Sequence, residues 1–327
     1  MKLIITTPQD FSDAANGLAV GFSKIGIEPH IFCIDLKSFH YQASQIYLRT
    51  PFRNKSRKHF GMHRSIVTEQ LKEKLTAIQP DLVISFGNDI ISEALVRDWT
   101  RESKKPWIIW LVEDPDSIDF FEESKIQKLP FYSRVLVPDN AWTWSLNFLE
   151  QDKVLYLPFA GDGRFFKKLN LVKDIDLLFV GPIYPGHPTR SIGPVRQTVI
   201  QVLRANGIHV RIIDRRIDQV LLNQYFNRAR IVLSINHGQC KTDGERVIFD
   251  IALSGSFQLT DYRENIQGIF KNGIITFQSL EELVERVHQY SAKSGEREKI
   301  AEEALLIASQ HHTYEQRAQE IINRLTL

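Results

Sequence analysis

Residues 65–87 read SIVTEQLKEKLTAIQPDLVISFG. In the first part, Val67, Leu71, Leu75 and Ile78 recur at the spacing of an amphipathic helix. The run DLVISFG (81–87) that follows has no polar–apolar alternation, so it predicts a strand covered on both faces. A helix of one apolar face leading into such a strand is half of a parallel βαβ unit.

The same pairing extends in both directions. LIIT (3–6), HIFCID (30–35), WIIWLVED (107–114), RVLVPD (134–139) and VLYLPFA (154–160) read as further buried strands, and AANGLAVGFSKIG (14–26) as another helix. The pattern pauses near residue 160 at GDGRFFKKLNLVKD. It restarts with DLLFVG (176–181), HVRIID (209–214), IVLSIN (231–236), SFQLTD (256–261) and GIITF (273–277), and from Ser279 onward it is wholly helical. The expected architecture is α/β, with two doubly wound Rossmann-like domains facing across a cleft. Their bounds are 1–163 and 164–308, with a terminal helix over 309–327 packing back on the first domain. In open parallel sheets ligands bind beyond the carboxyl ends of the strands. The informative loops are therefore those that follow each strand.

A chain of 327 residues with 43% hydrophobic and 24% charged residues suits two soluble globular domains. Its formal net charge of +2 implies no bulk attraction to nucleic acid or membrane. No apolar run is long enough to span a bilayer, and MKLIITTPQDFSDAANG reads as a first strand rather than a signal peptide. Cys33 and Cys240 are the only cysteines and lack metal-type spacing, so a cytoplasmic setting is expected. RNKSRKHFGMHR (53–64) is the one basic cluster and reads as solvated surface, a phosphate-bearing acceptor or nucleic acid being the sharper alternative. It has no aromatic interleaving of the kind that stacks single strands.

RVIFDIALSGSFQLTDY (246–262) contains an anomaly. A helix over 242–254 is predicted, with Thr242 and Glu245 forming a capping box and Gly255 ending it. Val247, Ile248, Phe249, Ile251, Ala252 and Leu253 cover most of its circumference, yet Arg246, Asp250 and Ser254 form one polar stripe. An exposed i,i+4 ion pair is the bland explanation; a ligand site is the other.

The second half resembles a known family. In order, the motifs are DLLFVGPIYPGHPTR, NQYFNRARIVLSIN, GERVIFDIALSGSFQLTDYRENIQGIF, SLEELVERVHQY, EREKIAEEA and HHTYEQRAQEII. Together they are similar to the carboxyl-terminal domain of CgeB-type (spore-maturation) glycosyltransferases of the GT-B group. The likeness covers roughly 174–325; the first half matches only in outline, through LVISFG, WIIWLVEDP and VLYLPFA.

The resemblance implies a nucleotide diphosphate sugar as substrate, with no further cofactor and no metal. It places Asp250 on the ribose hydroxyls, with aspartate where many relatives have glutamate. The position eight residues earlier, a second glutamate in many members, is Thr242, followed by Asp243. Arg246 is placed near a pyrophosphate at the helix start, where N–H donors and the dipole also act, and Gly244 where the ligand approaches the backbone. Gly181 and Arg190 of GPIYPGHPTR are expected at the diphosphate, Asp214 near ribose or base, and His237 within reach of the donor.

On the acceptor side, Asp13, Asp89, Glu113 and Asp114 follow strand ends. Asp13 and Asp114 are the candidate general bases; capping or turn formation is the alternative for all four. Asp114-Pro115-Asp116 has the Asp-x-Asp form used for metal elsewhere, but in the wrong domain. Adjacent His311 and His312 lack HExxH spacing, and Thr313 is expected to cap the last helix. The resulting expectation is a glycosyltransferase acting on a hydroxyl-type acceptor, with neither nucleic acid nor a transmembrane segment involved. A non-catalytic GT-B-fold binding or scaffold protein and a nucleotide-sugar epimerase are the alternatives. A solute-binding protein, with its two α/β lobes, would need an export signal.

Overall fold

The computed structural model of the chain describes residues 1–48, 50–87, 90–116, 126–183, 193–236 and 238–325. The chain divides into two compact units, one of Met1–Leu157 with Ala318–Leu327 and one of Pro158–Arg317.

The first unit holds six parallel strands, β1 (Lys2–Pro8), β2 (Glu28–Ile34), β3 (Leu82–Phe86), β4 (Trp107–Trp110), β5 (Arg134–Val137) and β6 (Val154–Tyr156), in the order β2-β1-β3-β4-β5-β6. Its helices include α1 (Ser12–Lys24), α2 (Phe39–Leu48), α3 (Arg53–Ile78), α4 (Glu93–Ser103) and the single turn α5 (Trp142–Ser145). Val67, Leu71 and Leu75 lay the inner face of α3 on a core that includes Ile4, Val83, Ile109 and Val135. The basic stretch 53–64 is the beginning of that helix.

The second unit has β7 (Ile175–Val180), β8 (Val210–Ile213), β9 (Ala229–Ser234), β10 (Gln258–Asp261) and β11 (Ile275–Phe277), all parallel, in the order β11-β10-β9-β7-β8. Around them lie α6 (Gly193–Ala205), α7 (Gln219–Arg228), α8 (Val247–Leu253), α9 (Glu264–Phe270), α10 (Leu280–Ala292) and α11 (Ser294–His311); the last helix, α12 (Tyr314–Leu325), belongs from Ala318 onward to the first unit. Alternate strand residues enter different cores. Leu177, Leu233 and Leu259 pack with α6 and α10, whereas Leu178 and Val232 pack with α8 and α9. This is why the strands are apolar throughout.

All eleven apolar runs read from the sequence are strands. The predicted helix 242–254 is shorter: α8 starts at Val247, and Arg246 at its N-cap makes no side-chain cap bond. The capping box fails because Glu245 has other partners. Its N–H donates to Asn236 Oδ1 at 2.8 Å, and its carboxylate pairs with Arg196 at 3.0 Å.

Candidate functional site

The strand order reverses between β7 and β9, since β8 lies outside β7 and the later strands run the other way from β9. Such a switch point leaves a crevice at the carboxyl strand ends. Gly181 stands there, just past β7, with φ +145, a conformation side-chain-bearing residues rarely adopt. A Cβ at Gly181 would lie 3.1 Å from Nη1 of Arg196.

Arg196 is 5% exposed and its place is tightly determined. Its Nε and Nη2 donate to Ile235 O at 3.3 and 2.6 Å, Nη2 also meets Glu245 Oε1 at 3.0 Å, and the guanidinium lies 5.8 Å from the Phe179 ring centroid. Sequence reasoning missed this residue. The available signal was its position on α6 in line with Val199, Ile200 and Leu203, which makes it an arginine on a buried helix face.

The loop from Asn236 to Arg246 is fastened at both ends. Asn236 donates through its N–H to Asp261 Oδ1 at 2.7 Å and through its amide to Thr260 Oγ1 at 3.0 Å. Arg263 pairs with Asp261 at 2.9 Å and donates to Cys240 O at 2.8 Å. Asp243, 2% exposed, accepts from Asn265 Nδ2 at 3.0 Å and from Thr242 Oγ1 at 3.1 Å, so it anchors α9 to the loop. A Cβ at Gly244 would come within 2.5 Å of Ile248 Cδ1, the tip of a side chain on α8.

Asp250 is placed differently from its sequence-based role. It is 2% exposed; Oδ1 accepts from the Asp162 N–H at 3.0 Å, and Oδ2 lies 3.5 Å from Arg246 Nη1. The polar stripe therefore points inward, toward the segment entering the unit. Tyr314 is buried in the same cluster, and desolvation pushes its hydroxyl up to about 12. Arg246 is 35% exposed at the side chain and keeps a solvent-facing portion.

Asp214 is exposed directly after β8, beside Gly181, whose N–H donates to Ile213 O at 2.9 Å. Arg190, His237 and Asp89 lie outside the described residues. In the first unit, Asp13 is half-buried in the first turn of α1, which follows β1. Asp114 is 5% exposed and accepts from the Asp116 N–H at 2.9 Å, the geometry of a turn-forming carboxylate. Among the described residues, no group of three or more His, Cys, Asp and Glu side chains is arranged to hold a metal ion.

Residues 163–323 match the family model described as glycosyl transferase-like. No curated protein matches the sequence. Among solved structures, a sucrose-phosphate synthase from Thermosynechococcus elongatus aligns at TM-score 0.66 and 11% identity, over 100% of this chain and 98% of that one. Anabaena HepE in complex with UDP-glucose aligns at 0.62 and 11%, over 100% and 99%. The UDP-GlcNAc 2-epimerase from Neisseria meningitidis bound to UDP-GlcNAc aligns at 0.56 and 13%, over 100% of both chains. At these identities the likeness is one of fold, and it extends over both units: the chain has the α/β GT-B fold. The stretch that matches the family model contains the switch point with Gly181 and Arg196.

Proposed function

We propose that the chain is a CgeB-type glycosyltransferase that moves a sugar from a nucleotide diphosphate donor to a hydroxyl-bearing acceptor. The observation that carries this reading is the glycosyl transferase-like match over 163–323, on a sheet whose switch point presents a positive-φ glycine beside a fixed guanidinium. In this reading the diphosphate approaches the backbone at Gly181, where no Cβ intervenes. Arg196 supplies a positive charge held rigid by Ile235 and Glu245, and Arg246 and Arg190 supply further cations. Asp214 faces the ribose or base. Asp250 holds Arg246 and the 160–164 segment in place rather than touching the ribose, because both of its oxygens already have protein partners. Asp13 is the proposed general base, being less buried than Asp114 and not committed to the Asp116 turn.

The support for a nucleotide-sugar donor is that HepE carries UDP-glucose on the same fold. Because the epimerase shares that fold too, the assay must separate transfer from epimerisation. A labelled nucleotide sugar incubated with the chain should release nucleotide diphosphate and pass label to an added acceptor hydroxyl or to water. Conversion of the sugar with no nucleotide release would favour the epimerase, and no reaction would favour a binding protein. Arg246→Ala should weaken nucleoside diphosphate binding by about tenfold or more, the worth of a charge-assisted hydrogen bond, and leave nucleoside binding unchanged. Calorimetry below the variant's melting range reads both; equal losses for the two ligands would remove Arg246 from the phosphate site.

A further inference from the structure

The near-neutral net charge conceals a segregated one. Between Asp35 and Glu69 the sequence has seven Lys and Arg and no Asp or Glu, against 41 and 39 in the whole chain; setting those seven aside leaves 34 Lys and Arg against the 39 acids. This segment is the helical hairpin α2–α3 of the first unit. Among the described residues it also holds five of the fifteen large apolar side chains left exposed: Phe39 at 74%, Ile46 at 64%, Phe52 at 59%, Met62 at 42% and Ile66 at 46%.

These side chains share faces. Phe39 and Ile46 are seven residues apart on α2, and Lys55, Lys58, Met62 and Ile66 follow one another at spacings of three and four on α3. Both patterns mark a single helix face. The opposite face of α3, with His63, Val67, Leu71 and Leu75, is buried, so the exposed stripe is not a displaced core.

Ring and cation–ring contacts knit the two faces together. The Phe39 ring is 5.9 Å from that of His59, His59 stacks on Tyr47 at 5.6 Å, and Lys55 Nζ lies over both Tyr47 and Phe52, at 5.6 and 5.1 Å. Ser56 Oγ donates to Ser44 O at 2.8 Å, which fixes α2 against α3.

We propose that the α2–α3 hairpin docks this chain on the surface of an anionic lipid bilayer, with Phe39, Ile46 and Phe52 entering the headgroup boundary and Lys55, Arg57 and Lys58 meeting the lipid phosphates. Charge complementarity identifies the occupant. A protein groove would leave a cationic rim needing its own acids, and a nucleic acid would leave the aliphatic Ile46, Met62 and Ile66 in water. An anionic interface takes both kinds of side chain at once. Attachment of this kind is peripheral; among the described residues no helix is long and apolar enough to cross a membrane. The inference does not depend on which sugar or acceptor the enzyme uses.

The test is co-sedimentation with vesicles of phosphatidylcholine alone and of phosphatidylcholine with phosphatidylglycerol, at low and high salt. The chain should pellet with the anionic vesicles, release as salt rises, and stay in solution with the neutral ones. Lys55→Glu/Lys58→Glu should weaken binding by at least about 20-fold, because each basic side chain near such a surface is worth about fivefold. Phe39→Ser/Phe52→Ser should weaken it at high salt as well. All four residues are exposed, and unchanged tryptophan emission confirms that each variant is folded. Equal partition to both vesicles, no binding to either, or anionic binding that survives both double variants overturns the proposal. So does heparin binding as strong as vesicle binding and indifferent to the phenylalanine changes, the behaviour of a polyanion site.

Discussion

Asp250 lies on a helix with few other polar residues, and its two oxygens are divided between the Asp162 N–H and Arg246. Removing one acceptor from a buried N–H costs about 1–3 kcal/mol. Asp250→Asn should therefore destabilise the second unit by an amount in that range, read as a lower urea midpoint at unchanged slope. It should leave the preference between UDP and 2′-deoxy-UDP unchanged in calorimetric titrations. A lost ribo preference at unchanged stability would return the carboxylate to the ribose. His312 makes a second residue-scale prediction. Burial, then Arg317 and His311, hold its pKa down at about 3 from an ordinary 6.5, while the ring packs on Phe249 and Phe270 and contacts Arg317 at 2.6 Å. Between those values the unfolded chain binds the proton and the folded chain does not, so stability falls as pH drops from about 6.5 toward 3. His312→Phe removes that titration, and its melting temperature should decline less steeply over the same window. The Arg246–Asp250 pair was legible at i,i+4 spacing, whereas the Asp162–Asp250 bond spans 88 positions and could not be read locally.

At the scale of elements, two glycines set how closely α8 and α11 are approached. A Cβ at Gly161 would lie 2.8 Å from Phe249 O, and one at Gly273 would lie 2.7 Å from Ala304 N on α11. Both obstacles are backbone, which cannot rotate aside as a side-chain tip can. Gly273→Ala should destabilise the second unit by about 1–3 kcal/mol, the usual cost of overpacking, seen as a lower urea midpoint at unchanged slope. An unchanged midpoint would mean that α11 shifts freely. The same scale shows where reading by pattern succeeds and fails. Each strand was legible because burial on both faces demands an unbroken apolar run. The start of α8 was not legible, because the capping-box pattern at Thr242 and Glu245 is a local preference of modest size. It is outweighed by the Arg196–Glu245 pair and the Asn236 bond to the Glu245 N–H.

The whole molecule distributes its signals unevenly. All five tryptophans, Trp99, Trp107, Trp110, Trp142 and Trp144, fall in the first unit, so indole emission reports that unit alone. The last ten residues, Ala318–Leu327, belong to it as well. Ala318 and Ile321 are buried, and Arg324 donates to Tyr156 O at 2.7 Å. Removing 318–327 should cost the tryptophan-monitored transition about 2 kcal/mol, the value of one large buried side chain. A midpoint unmoved by the truncation would show that this segment adds nothing to the first unit. The sequence by itself determined the eleven strands, the α/β class and the glycosyltransferase resemblance of the second half, because burial pattern and motif order are written along the chain. Only the tertiary structure decided the strand orders, the inward turn of Asp250, the buried place of Arg196 and the joining of apolar and basic residues on one hairpin. Those depend on which distant segments meet, and a helical or strand period says which face is buried without saying what lies against it.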